Sequence, residues 1–151
     1  MTRRIAKRIV AMIMVVCCIA GMAVGVSATM PYYVQSVGFV SNGSRYTSKQ
    51  DKSEVSTYYT VKLSSCYFDG GVSWPSGKYI ETTMTNTAGT VIGTKIYQYS
   101  TTYGSTSNAN YNSTWQNITG QKNVMLRLMT NTGKNGTATV KWSPGYYASL
   151  P

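Results

Sequence analysis

The chain contains no histidine in 151 residues. That removes the side chain most often used as a general base near neutral pH and as a metal ligand. Ser-His-Asp and Cys-His catalytic sites are therefore excluded. Cysteine is nearly as scarce. Cys17 and Cys18 lie in an apolar N-terminal run, and only Cys66 follows it. No internal disulfide can form in the part after that run, and zinc-type ligand clusters are missing. Acids number four, Asp51, Glu54, Asp69 and Glu81. A calcium site needs several close together, and Asp69-Gly70-Gly71 offers one. No metal or other cofactor is expected.

What is present begins with a leader. Arg3, Arg4, Lys7 and Arg8 precede an uncharged run from Ile9 to Val26, and Val26-Ser27-Ala28 supplies small residues for a peptidase. Residues 1–28 read as a signal peptide and 29–151 as a single secreted domain. Gly21 and Gly25 loosen the end of the run, which favours cleavage. The alternative is an uncleaved signal anchor, since 18 uncharged residues reach the lower limit for a span. Both readings place the body outside the cytoplasm. Cys17 follows Val16 and Cys18 follows Cys17, which argues against lipidation.

After residue 28, ten bases face four acids, a net charge of +6. The bases are scattered, with no basic arm. Dispersed charge and export fit nucleic acid poorly. They fit an anionic cell surface, whether wall glycan, anionic polymer or membrane. All thirteen tyrosines lie in this part, with many Thr, Ser and Asn, while Leu is scarce. β-branched and aromatic residues dominate over helix formers.

Period-two alternation marks strands over Tyr32–Val40 and Val55–Phe68. In the second, Tyr59, Val61 and Leu63 share one face and Tyr58, Thr60 and Lys62 the other. Residues 45–54 read as an exposed loop or edge. Met-Thr-Asn-Thr occurs twice, at 84–87 and 129–132, each time between candidate strands and beside a Gly-containing turn. Two similar hairpins are expected, 79–99 and 124–142. Ser100–Thr114 reads as the longest loop, with a short strand from Trp115 to Ile118 after it. Residues 146–151 read as a tail. The sum is an all-β chain, an antiparallel β-sandwich of six to seven strands after the signal helix, with a small β-barrel as the alternative. Val61, Leu63, Ile80, Ile92, Ile96, Leu126, Leu128, Val140 and Trp142 are the expected core.

Candidate chemistry is sparse. Asp69 and Glu81 are the carboxylates available for glycoside hydrolysis, but Glu81, between Ile80 and Thr82, is expected to face solvent. Cys66 has no imidazole to activate it. The chain is therefore expected not to be an enzyme. Aromatic rings carry the positive signal. Trp74, Trp115, Tyr58 and Tyr33 are the candidate ligand-binding residues, because rings among Asn, Thr and Tyr hydroxyls suit sugar faces and membrane interfaces.

With its leader and a hairpin-rich body bearing Gly136-Thr137 and Lys141-Trp142 at strand ends, the chain resembles small exported proteins of Gram-positive bacteria. It is also similar to the lactococcin-972-type bacteriocins, which are secreted, cationic and rich in Tyr, Asn, Ser, Thr, Gly and Trp. That resemblance implies a secreted toxin or antagonistic factor. The composition itself implies a non-enzymatic protein that binds at the cell surface or envelope.

Overall fold

The computed structural model describes residues 31–52, 55–116, 118 and 122–151. The leader lies outside them. Among the described residues no helix is long and apolar enough to cross a membrane.

Two antiparallel sheets pack face to face. The strands are β1 (Tyr33–Phe39), β2 (Ser44–Tyr46), β3 (Gln50–Lys52), β4 (Tyr58–Phe68), β5 (Ile80–Asn86), β6 (Ile96–Gln98), β7 (Thr106–Asn110), β8 (Lys122–Thr130) and β9 (Gly136–Ser143). The first sheet runs β1-β9-β4-β7. The second runs β2-β8-β5-β6, with β3 beside β2 on the same edge of β8. The sandwich is thus the expected one, with nine strands rather than six or seven among the described residues. A short helix, α1 (Ser113–Gln116), stands where a strand was expected from Trp115. Asn112 caps it, its side-chain oxygen accepting from the Trp115 amide at 3.2 Å.

Alternation built the core. All nine expected core residues are buried, joined by Phe39, Tyr59, Met84, Tyr111 and Val124. Every described strand and all of this core lie within residues 31–151, so a chain starting at Thr29 retains them. In β4 the register slips between Leu63 and Ser65. That bulge resets the alternation. Leu63 faces inward opposite Val140, and beyond the bulge Cys66 and Phe68 take the inward phase opposite Ala138 and Gly136. Gly136 is required there by close approach, because a Cβ would sit 2.2 Å from the Tyr67 carbonyl oxygen.

Three expectations fail for traceable reasons. The 124–142 segment is not a hairpin. β8 belongs to one sheet and β9 to the other, so the Asn131–Asn135 connection crosses the sandwich. Asn135 ties the crossing down by accepting from the Ser41 amide at 2.8 Å. The Ser100–Thr114 stretch is not all loop. Its polar Thr106–Asn110 segment pairs with β4 as the edge strand β7, where one side meets water and needs no apolar residues.

The tail is docked. Thr60, expected to face out, lies buried beneath it, donating to the Gly145 carbonyl at 2.9 Å and accepting from the Tyr147 amide at 2.8 Å. Lys62 donates to the Leu150 carbonyl at 3.0 Å, and Leu150 is fully buried.

Candidate functional site

The outer face of the second sheet carries the best-formed polar constellation among the described residues. Three strands build it by simple alternation. Leu126 and Leu128 point into the core, so Arg127 between them points out. Ile80 and Thr82 face the core from β5, so Glu81 and Thr83 point out. Ile96 and Gln98 do the same in β6, leaving Lys95, Tyr97 and Tyr99 on the outer side. The registers then bring these residues together. Glu81 lies opposite Met129 on one side and Tyr97 on the other, and Thr83 lies opposite Arg127. Arg127 and Glu81 are thus diagonal neighbours, within reach for long side chains.

Glu81 is not a solvent-facing carboxylate. It is 1% exposed, and both oxygens are engaged. Arg127 Nη2 donates to Oε1 at 2.9 Å, and Lys95 Nζ lies 3.0 Å from Oε2. The carboxylate raises the Lys95 ammonium above its ordinary pKa, through its hydrogen bond first and its charge second. Two cations on one anion leave the cluster at +1. Asp51 is also on this side, opposite Asn123, six residues along β8 from Met129. At ~3.3 Å per residue it is about 20 Å from the Glu81 row and about 13 Å from Arg127, both beyond the screening length at physiological salt.

Aromatic rings border the charges. Tyr79 meets Tyr97 edge-to-face at 4.9 Å and Tyr99 at 5.8 Å. Tyr97 and Tyr99 remain exposed, oriented by contacts with the half-buried Tyr79. On the far side, Tyr46 of β2 lies opposite Arg127, and its ring reaches the turn at Gly89, where a Cβ would lie 3.4 Å from its hydroxyl.

The four rings singled out from the sequence do not form one site. Trp74 is half-buried against Phe68 at 5.5 Å and Tyr103 at 6.3 Å, and its indole N–H donates to the Lys78 carbonyl at 2.9 Å. It closes one end of the core. Tyr33 is half-buried against Trp142 at 5.4 Å, near the other end. Trp115, on α1, also packs against the core. Tyr58 alone of the four is exposed, resting on Tyr146 at 5.8 Å. Tyr58 and Phe68 terminate β4, so Tyr58 and the Trp74 group stand about 33 Å apart at ~3.3 Å per residue.

The other candidate groups are placed as follows. Asp69 is exposed in the 3-10 turn after β4, its amide bonded to the Asn135 carbonyl at 3.0 Å. It does not share the Glu81 cluster. Cys66 is a free, half-buried thiol, and burial pushes it up to about 12, far from a thiolate at neutral pH. Among the described residues no group of three or more Cys, Asp or Glu could hold a metal ion.

Sequence reasoning missed Arg127, Lys95, Tyr79, Tyr97, Tyr99 and Tyr46. The outward phase of each strand was legible, but the pairing of β5 with β8 was hidden by assigning β8 to a hairpin with β9. No protein-family model matches the chain, and no curated protein matches it.

Proposed function

We propose that the chain is a secreted, non-enzymatic β-sandwich that binds glycan at the cell surface or envelope through the outer face of its second sheet. One observation carries this reading: Tyr97 and Tyr99, each packed on Tyr79, stand beside a buried carboxylate that holds an arginine and a lysine in place. Rings offer flat apolar area to sugar faces at low entropic cost, and fixed N–H groups orient the ligand. Both Glu81 oxygens are taken by cations. That supports a holding role for the carboxylate over an acid–base one, since a glycosidase acid needs its oxygen free for the scissile bond. The leader supports export.

Retention of residues 29–151 on purified Gram-positive cell wall tests the reading. Wild type is expected to be retained, with most retention lost in Tyr97→Ala and little lost in Tyr67→Ala, whose ring is exposed on the other sheet. Equal retention of both variants and wild type would overturn it. Killing of a related strain without wall retention would select the antagonistic reading instead.

A further inference from the structure

The tyrosine face has a donor–acceptor imbalance that names its ligand more narrowly. Lysine and arginine donate hydrogen bonds and accept none. The carboxylate among them, Glu81, is buried with both oxygens engaged. Thr83 donates to the Gly93 carbonyl at 3.0 Å and Thr85 to the Met125 carbonyl at 3.2 Å, so these buried hydroxyls are also committed. What the centre of the face turns toward solvent is therefore cationic N–H, chiefly from Lys95, which is 43% exposed. A neutral sugar presents hydroxyls that both give and take. A carboxylate only takes.

The dimensions add a second constraint. From the Tyr79 row to the Thr83 row is four residues along the chain, about 13 Å, and β2 to β6 spans three strand spacings, about 14 Å. Tyr46 and Tyr99 stand at opposite corners, with the Lys95–Glu81–Arg127 cluster between them. That layout fits several linked sugar units lying flat, with stacking at both ends and a negative group at the centre.

We infer that this face takes an acidic glycan, a chain of sugar rings bearing carboxylates, with Lys95 and Arg127 meeting a carboxylate while Tyr97, Tyr99 and Tyr46 contact the flanking rings. Glu81 acts as the positioning residue for both cations. The inference rests on the glycan-binding reading above and specifies its ligand.

The test is titration of residues 29–151 with two soluble probes, a galacturonic acid tetramer and the neutral tetra-N-acetylchitotetraose, at low and at physiological salt. The acidic tetramer is expected to bind about tenfold or more tightly than the neutral one, as a charge-assisted contact on a partly desolvated site allows. Lys95→Gln is expected to erase that preference. Lys134→Gln removes the same charge from the exposed β8–β9 connection and is expected to leave the preference intact. Tyr97→Ala is expected to weaken both probes. Equal binding of the two tetramers by wild type would overturn the inference, as would equal losses in Lys95→Gln and Lys134→Gln, which would mean diffuse charge attraction. If wild type is retained on cell wall yet shows no acidic preference, only this inference falls. If neither tetramer binds and the wall retains nothing, the broader reading falls with it.

Discussion

Glu81→Gln isolates the buried carboxylate with almost no change in volume. In the wild type, Glu81 is 1% exposed and Arg127 is 16% exposed. Removing one partner of a buried ion pair costs about 3–5 kcal/mol, because the remaining charge stays desolvated without compensation. Arg127 keeps some solvent access, so the lower end, about 3 kcal/mol, is expected. Urea unfolding of residues 29–151 measures it, with an unchanged m-value required for the comparison. A double-mutant cycle with Arg127→Gln is expected to give a coupling above about 1 kcal/mol, since the two side chains touch. Replacing both partners by Met tests the same reasoning from the other side. A buried pair exchanged for apolar residues of similar size is close to neutral, within about 1 kcal/mol or stabilising. The Glu81→Met/Arg127→Met protein is therefore expected to fold with near wild-type stability and to lose binding of the acidic tetramer. A loss below about 1 kcal/mol in Glu81→Gln would refute the claim that this carboxylate is desolvated and held by its partners.

Three further outcomes follow from the packing. Burial pushes the Tyr59 phenol up to about 12 from 10.0. The unfolded chain therefore loses its proton first, so this contribution is intact below pH 10 and is lost as pH rises from 10 towards 12. That shift is worth about 3 kcal/mol, and Tyr59→Phe is expected to make the alkaline limb of a pH–stability curve shallower, the rest coming from Tyr111, also raised by burial. Gly136→Ala would bring a Cβ within 2.2 Å of the Tyr67 carbonyl oxygen and 2.8 Å of Phe39 Cζ. Backbone cannot yield as a side chain can, so a loss of about 3 kcal/mol or more is expected in urea unfolding, and a near-neutral result would contradict the β4–β9 register. Leu150→Ala is expected to cost about 2–4 kcal/mol and to open the tail to proteolysis, because Leu150 is fully buried. A stable, protease-resistant variant would show that the tail does not clasp the first sheet.

The core was legible in the sequence and the site was not, for one physical reason. Burial of an alternating strand depends on the strand's own period, which its residues spell out. Val61 and Leu63, Ile80, Leu126 and Leu128 all announce the inward face locally. The environment of an outward residue depends on which strand lies beside it. Glu81 between Ile80 and Thr82 has the outward phase of a solvated side chain. It is buried because Arg127, from a strand 46 residues away, and Lys95 close over it. The same holds for Thr60, which alternation placed in water and the returning tail covers. Trp74 and Trp115 show the converse. Their turn and loop settings suggested display, yet a core poor in Leu takes rings as end-plugs.

The repeated Met-Thr-Asn-Thr makes the dependence on neighbours explicit. In the first copy, Asn86 accepts from the Ala88 amide at 3.0 Å and the Thr90 amide at 2.9 Å, closing a tight turn with Gly89 at φ 82°. The chain returns at once beside β5. In the second copy, Asn131 accepts from the amide of Tyr79, the residue just before β5, at 2.8 Å, and the chain leaves the sheet altogether. The Asn side chain caps its own turn when a glycine three residues on lets the backbone double back. It caps a neighbour when the next residues must cross the sandwich. Met84 is fully buried while Met129, opposite Glu81, is half-buried on the outer face, so even the first residue of the motif has opposite phase. Two identical tetrapeptides in antiparallel, adjacent strands thus serve opposite faces. The repeated tetrapeptide therefore does not mark two equivalent hairpins. Exchanging Asn131 for Ala is accordingly expected to loosen the Tyr79 edge of the aromatic face and weaken binding there, whereas Asn86→Ala is expected to loosen only the β5–β6 turn. Amide exchange at Tyr79 in the two variants distinguishes these outcomes, and equal protection in both would refute the assignment.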